Sequence, residues 1–128
     1  MRLLLDTHAF LWFCADDPSL SAVAKGRIED ARNDRLLSVA SIWEMAIKVS
    51  LGQLQLSVEL TELIARGAEQ NGIGILDVTR EHAVGVVALP FHHRDPFDRL
   101  LVAQAFAEGL TIVGADAAFD GYAVPRIW

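Results

Sequence analysis

Leu3-Leu4-Leu5-Asp6-Thr7-His8 opens the chain, and its three unbroken leucines decide the fold. A strand with one wet face alternates apolar and polar residues. A short apolar run without alternation belongs instead to a strand buried on both faces, as in a parallel sheet covered by helices. Asp6 then falls at the strand's C-terminal end. Working outward, Ala9 to Cys14 reads as a helix, Asp16-Asp17-Pro18-Ser19 breaks it, and Ser19 or Ser21 caps a second helix reaching about Ala31. Leu36 to Ser38 forms a second strand. Ser41 followed by Glu44 has the spacing of a capping box, which puts Glu44 in the first turn of a helix that Gly52 terminates.

The second half repeats this alternation. Val58 to Ala68 has helical periodicity, Gly72 to Leu76 reads as a third strand, and Thr79 caps a helix to about Val87. Asp95-Pro96-Phe97-Asp98 is N-cap chemistry, with Asp95 at the cap, Pro96 at the first helical position and Asp98 at the third; Gly109 ends that helix. Leu110 to Val113 forms a fourth strand delivering Asp116, and Val124 to Trp128 adds an edge strand. Strands separated by helices imply right-handed crossovers, a three-layer α/β/α architecture and a central parallel sheet of four or five strands. At 128 residues, the chain 1–128 reads as one domain without internal repeat, linker or low-complexity segment.

Composition narrows the function. Eleven basic against 17 acidic residues give a net charge of −6, with a pI near 5.0. Bulk electrostatics therefore does not hold nucleic acid here, and a phosphodiester substrate would need a cation to bridge the repulsion. The densest basic segment, Lys25 to Arg35, also holds Glu29, Asp30 and Asp34, and reads first as a solvated helix. Hydrophobic residues reach 52%, and the mean hydropathy of +0.31 exceeds what a core of this size needs. The excess points to an apolar partner surface, for which Phe10-Leu11-Trp12-Phe13 is the candidate. No apolar run approaches a membrane span and no signal peptide is present, so a soluble, cytoplasmic protein is expected. The single Cys14 is assigned no catalytic role.

Four carboxylates, Asp6, Glu44, Asp98 and Asp116, sit in nearly apolar stretches, where an unpartnered charge is costly to bury. Taken singly, each has a structural reading. Asp6 and Asp116 can be helix N-caps, Glu44 a capping-box acid or an i,i+4 partner of Lys48, and Asp98 a first-turn acid favoured by the helix dipole. Taken together, they all belong to the edge where open parallel sheets bind ligands. Clustered carboxylates repel unless a cation neutralises them, so the set favours a shared divalent metal. Oxygen-only ligands suit Mg²⁺, which retains several waters; zinc fits poorly, since Cys14 is single and His92 and His93 are adjacent. His8 reads as a packed histidine, His92 and His93 as loop residues, and Asp120 as a turn acid before an extra ligand.

Four blocks carry a family resemblance. They are Leu4-Leu5-Asp6-Thr7-His8, Ser38-Val39-Ala40-Ser41-Ile42-Trp43-Glu44, His93-Arg94-Asp95-Pro96-Phe97-Asp98-Arg99-Leu100-Leu101 and Val113-Gly114-Ala115-Asp116. In order and spacing the chain resembles the PIN domains, and in particular the VapC-like toxins of bacterial type II toxin–antitoxin modules, over essentially its whole length. The resemblance implies that Asp6, Glu44, Asp98 and Asp116 form the acidic site of a Mg²⁺- or Mn²⁺-dependent ribonuclease. It further implies an RNA substrate, a homodimer and a cognate antitoxin. Gly114 stands where members often carry Thr or Ser, which leaves a catalytically weak or inactive protein-binding module as the alternative. Within the enzyme reading, Asp6 and Asp98 hold the main metal, Glu44 binds or orients its water, and Asp116 completes the shell or a weaker second site. Thr7, Arg99 and Lys48 are candidate substrate contacts, with Arg99 preferred over Lys48.

Overall fold

The computed structural model describes residues 1–92 and 94–128. Its strands are β1 (Arg2–Leu5), β2 (Asp34–Ser38), β3 (Gly74–Leu76), β4 (Thr111–Val113) and β5 (Arg126–Ile127), all parallel, in the order β3-β2-β1-β4-β5. The leucine strand is central, as its lack of alternation requires. Leu3 and Leu5 pack on one face with Phe10, Ala24, Ile28 and Met45, whereas Leu4 packs on the other with Ile112, Leu101, Val102 and Phe119. Two cores on opposite faces of one sheet make the three-layer α/β/α arrangement.

The helices are α1 (Thr7–Cys14), α2 (Ala22–Glu29), α3 (Val39–Ser50), α4 (Leu60–Gly67), α5 (Arg80–Gly85) and α6 (Pro96–Glu108). All but α4 begin at a side-chain cap. Ser21 accepts from Ala24 N, Thr79 accepts from His82 N, and Asp95 accepts from Phe97 N and Asp98 N with Pro96 leading α6. Gly109 closes α6 with φ 66°, a left-handed backbone that glycine adopts at little cost.

The start of α3 differs from the sequence reading. Ser38, the last residue of β2, is the N-cap and accepts from Ala40 N, so no loop separates strand from helix. Ser41 lies inside the first turn and Glu44 in the second, and no capping box forms. The first position along the chain at which a hydroxyl can catch the exposed amides wins the cap, and Ser38 reaches them before Ser41. Gly52, with φ 71°, lies just past the end of α3 as expected.

The apolar surface extends beyond the stretch expected to form it. Phe10 is wholly buried, and Leu11, Trp12 and Phe13 are half-buried against the core. The exposed apolar side chains include Val84, Val87, Phe91 and Phe106, around α5 and the outer face of α6, together with Trp43 and Leu51 on and just beyond α3. Among the described residues, no helix is long and apolar enough to cross a membrane.

Candidate metal centre

Parallel pairing brings the C-terminal ends of β1, β2 and β4 to one edge, with Leu5 level with Leu37 and Val113. Asp6 leaves β1 there. Its amide donates to Val113 O (3.0 Å), and its Oδ1 caps α1 by accepting from Ala9 N (2.8 Å). Only 6% of the residue is exposed. Burial, and then the negative charges of Glu44 and Asp116, push its carboxyl from 3.8 up to about 6 against the opposing pull of the Ala9 amide. Asp6 is therefore a buried acid that feels two further acids and receives one backbone hydrogen bond in return.

Gly114 explains how this carboxylate fits. A Cβ built on Gly114 would lie 2.5 Å from Asp6 Oδ2 and 3.3 Å from Phe119. The missing side chain thus makes space for Asp6. At the position where the resemblance leads to an expected Thr or Ser, the Asp6 carboxylate fills the space that a side chain would take.

Glu44 projects from the second turn of α3 and is 5% exposed. Both oxygens are occupied: Thr7 Oγ1 donates to Oε1 (2.6 Å) and Lys48 Nζ pairs with Oε2 (2.9 Å). Thr7, itself buried, therefore serves to fix Glu44. Lys48 neutralises the same carboxylate from one helical turn on, and its side chain remains 36% exposed at the edge of the site.

Asp98 lies in the first turn of α6. The ring of its neighbour Phe97 meets Trp43, the neighbour of Glu44, edge-to-face at 5.4 Å. This contact sets the start of α6 against α3 beside the acids. Asp116 accepts from Ala118 N (2.9 Å) and caps a short 3-10 turn, Ala117–Gly121. Arg126 steadies this exit from β4, bonding Gly114 O (3.0 Å) and both oxygens of Asp120 (2.9 and 2.8 Å). Asp120 is consequently a turn acid held by an arginine.

Arg99 departs from its expected role. It is 6% exposed, donates to the carbonyls of Pro90, Val86 and Leu89 (2.8, 3.2 and 3.3 Å), and lies 4.3 Å from the centre of the Phe91 ring. A guanidinium committed to three carbonyls is a clamp on the segment before α6 and is not displayed to a phosphate. The basic segment is spent locally too. Lys25 pairs with Asp16, Arg32 with Asp30, and Arg35 is buried on the carbonyls of Ile28 and Asn71. His8 is exposed and tilted on Trp12, His92 packs edge-to-face on Tyr122, and His93 lies outside the described residues. Burial pushes the Cys14 thiol up to about 11, in keeping with an inert side chain.

Among the described residues, no three acidic, histidine or cysteine side chains lie close enough together to form a ready-made cage for a bare ion. The donor set is nevertheless all oxygen, and the raised Asp6 registers the charge of two other acids. That combination fits a hydrated Mg²⁺ or Mn²⁺, which is bound by one or two carboxylates and keeps its remaining waters. It does not fit a desolvated, all-protein site. The sequence reading passed over Ser38 and Gln104, whose side chains join α3 to α6 at 2.6 Å. An amide placed amid Leu100-Leu101-Val102-Ala103 and Ala105-Phe106 was the available signal.

The PIN domain family model matches residues 3–125. Ribonuclease VapC22 of Mycobacterium tuberculosis is 32% identical over 126 residues, covering 97% of this chain and 94% of that protein. Among solved structures, VapBC2 from Rickettsia felis bound to a promoter DNA fragment superposes with a TM-score of 0.72 at 14% identity, covering 99% of this chain and 98% of that one. VapBC-1 from nontypeable Haemophilus influenzae gives a TM-score of 0.64 at 13% identity over 99% of this chain and 97% of that one. At such low identity these two structures speak for the fold.

Proposed function

Since the chain belongs to the PIN-domain family, we propose that it is a metal-dependent endoribonuclease, the toxin component of a type II toxin–antitoxin module, which hydrolyses RNA phosphodiester bonds. The observation that carries this reading is Asp6, a carboxylate buried at the end of the central strand and pushed up to about 6 by burial and by Glu44 and Asp116. A fold that keeps such a group in a net acidic protein has a use for the cation that would relieve it.

Asp6 and Asp98 would hold Mg²⁺ or Mn²⁺, with Glu44 binding or orienting its water and Asp116 completing the shell or a weaker second site. Bound there, the ion would supply an activated water and neutralise charge developing on the scissile phosphate. The chain's own residues prepare that event. Thr7 fixes Glu44 in one rotamer, the Ala9 amide fixes one oxygen of Asp6, and Gly114 leaves room for the other. Lys48 balances Glu44 and, at the rim of the site, is the better placed of the two expected phosphate contacts.

The same reading assigns partners. A groove runs from Thr7 and Lys48 past Leu11, Leu56 and Val58 to Leu63, as adjoining hollows of about 350, 160 and 310 Å³ that share lining residues. Apolar along most of its length and opening beside the acids, it suits an extended antitoxin segment carrying apolar anchors and a basic residue. The separate apolar face of Val84, Val87, Phe91 and Phe106 borders a hollow of about 470 Å³ floored by Leu89, Val102 and Tyr122. Protruding apolar side chains beside an apolar hollow suit a self-complementary homodimer contact.

The test is cleavage of a pool of structured RNAs by the antitoxin-free protein in Mg²⁺ or Mn²⁺, beside EDTA and Asp98→Asn controls. Cutting that disappears in both controls with the fold intact is the expected result. Undiminished turnover by Asp98→Asn would remove that residue from the site.

A further inference from the structure

Gln104 is wholly buried in the middle of α6, and its amide is used at both ends. Oε1 accepts from Ser38 Oγ at 2.6 Å, while Nε2 donates to Asp77 O (3.3 Å) and approaches His82 Nδ1 (3.4 Å). A flipped amide would set carbonyl against carbonyl at Asp77, so only one orientation works. His82 is equally constrained. Its Nδ1 accepts from Thr79 N (3.1 Å), which leaves the ring proton on Nε2 to face Glu108 Oε1 at 2.8 Å. Ser38, fully buried, simultaneously caps α3 through Ala40 N (3.0 Å).

The place of this bond gives it a consequence. Ser38 stands six residues before Glu44, and Gln104 six residues after Asp98. Six residues of helix rise about 9 Å. At the acid end, Trp43 and Phe97 meet at 5.4 Å. The facing segments of α3 and α6 therefore run antiparallel and touch at two points, a hydrogen bond at one end and an aromatic contact at the other. Aromatic edges slide with little penalty, whereas a short hydrogen bond tolerates little error in distance or angle. Carboxylates on two separate helices depend on that relative placement, because ligand sets are productive only within about 0.5 Å of their working geometry.

We propose that Gln104 is a positioning residue: its hydrogen bond to Ser38 sets the register of α3 against α6 and so the affinity of the Glu44 and Asp98 pair for a divalent cation. The proposal rests on the metal-site reading given above. A merely structural Gln104 would affect the cation only through overall stability. A register-setting one affects it directly.

The experiment is Mn²⁺ titration of the full chain by electron paramagnetic resonance, with urea denaturation run in parallel. Gln104→Met should weaken Mn²⁺ binding about 10-fold, the lower range for lost outer-shell support of a metal site. Leu101→Ala, a core truncation in the same helix, should lower stability yet keep the Mn²⁺ Kd within about twofold. The Ser38→Ala, Gln104→Met double variant loses the α3 cap as well, so it should be less stable than Gln104→Met while its Mn²⁺ affinity falls little further, the Ser38–Gln104 bond being already absent. An unchanged Kd in Gln104→Met, an equal loss in Leu101→Ala, or a further fall in affinity that follows stability in the double variant would each overturn the proposal. Absence of Mn²⁺ binding by the wild-type chain would instead overturn the metal-site reading, and this inference with it.

Discussion

Replacing Asp6 by asparagine should make the metal-free protein more stable, although it removes a residue of the proposed active site. The folded state holds the Asp6 proton up to about pH 6, against the ordinary 3.8 of an unperturbed aspartate. Folding therefore takes up a proton between those two values. Below about pH 4 the group is neutral in both states and costs nothing. As pH rises through the window the unfolded chain ionises first, and the native state loses stability until its own carboxyl ionises above about pH 6. Roughly two decades of proton affinity, at about 1.4 kcal/mol each, set the full cost near 3 kcal/mol at pH 8. Asparagine keeps the oxygen that caps α1 through Ala9 N, caps helices as well as aspartate does, and carries no charge. In EDTA at pH 8, urea unfolding should show Asp6→Asn ahead by about 1–3 kcal/mol, or roughly 5–10 °C in Tm, the lead closing toward pH 4. Mg²⁺ at ten times its Kd should raise the wild-type chain by about 1.4 kcal/mol and leave the variant unmoved. A variant no more stable than wild type at pH 8, or a difference flat in pH, would refute the account of Asp6 as a buried, mutually repelled acid.

Three further expectations test neighbouring parts of the structure. Gly114→Ala drives a methyl group to within 2.5 Å of Asp6 Oδ2, so it should cost about 1–3 kcal/mol in wild type and far less in an Asp6→Ala background; equal costs in both backgrounds would deny the contact. Phe106→Asp sets a charge on the exposed face beside the 470 Å³ hollow, and light scattering should show a dimer of the 14.0 kDa chain reduced to monomer; an unchanged mass would move the dimer contact elsewhere. Leu56→Glu, in the groove leading from Thr7 and Lys48, should weaken capture of the cognate antitoxin at least 10-fold, a loss of about 1.4 kcal/mol or more, while circular dichroism stays constant; full-strength binding would exclude the groove.

What the sequence disclosed follows from the range of the forces involved. The leucine strand and the Asp95-Pro96-Phe97-Asp98 cap were legible because burial on both faces and N-cap chemistry act over a few neighbouring residues. The start of α3 was misread for a local reason as well: Ser38 and Ser41 are both competent caps, and what decides between them is where β2 ends against β1, level with Leu5 and Leu37. Arg99 misled for a different reason. A cation beside an acid in sequence looks available to substrate, but its two terminal nitrogens are engaged by carbonyls at Val86, Leu89 and Pro90, in a segment whose approach to α6 only tertiary packing determines. Gly114 shows the same limit in reverse. Its significance lies in the path of the Asp6 side chain from the neighbouring strand, so no pattern along the sequence could distinguish a missing hydroxyl from a necessary space. The site's acids are thus readable one at a time, since each is an unusual residue in its own stretch. Their mutual placement is carried by Thr7 on Glu44, Ser38 on Gln104 and Trp43 on Phe97, contacts between residues at least 37 positions apart, and it is this placement that decides whether isolated carboxylates become a metal site.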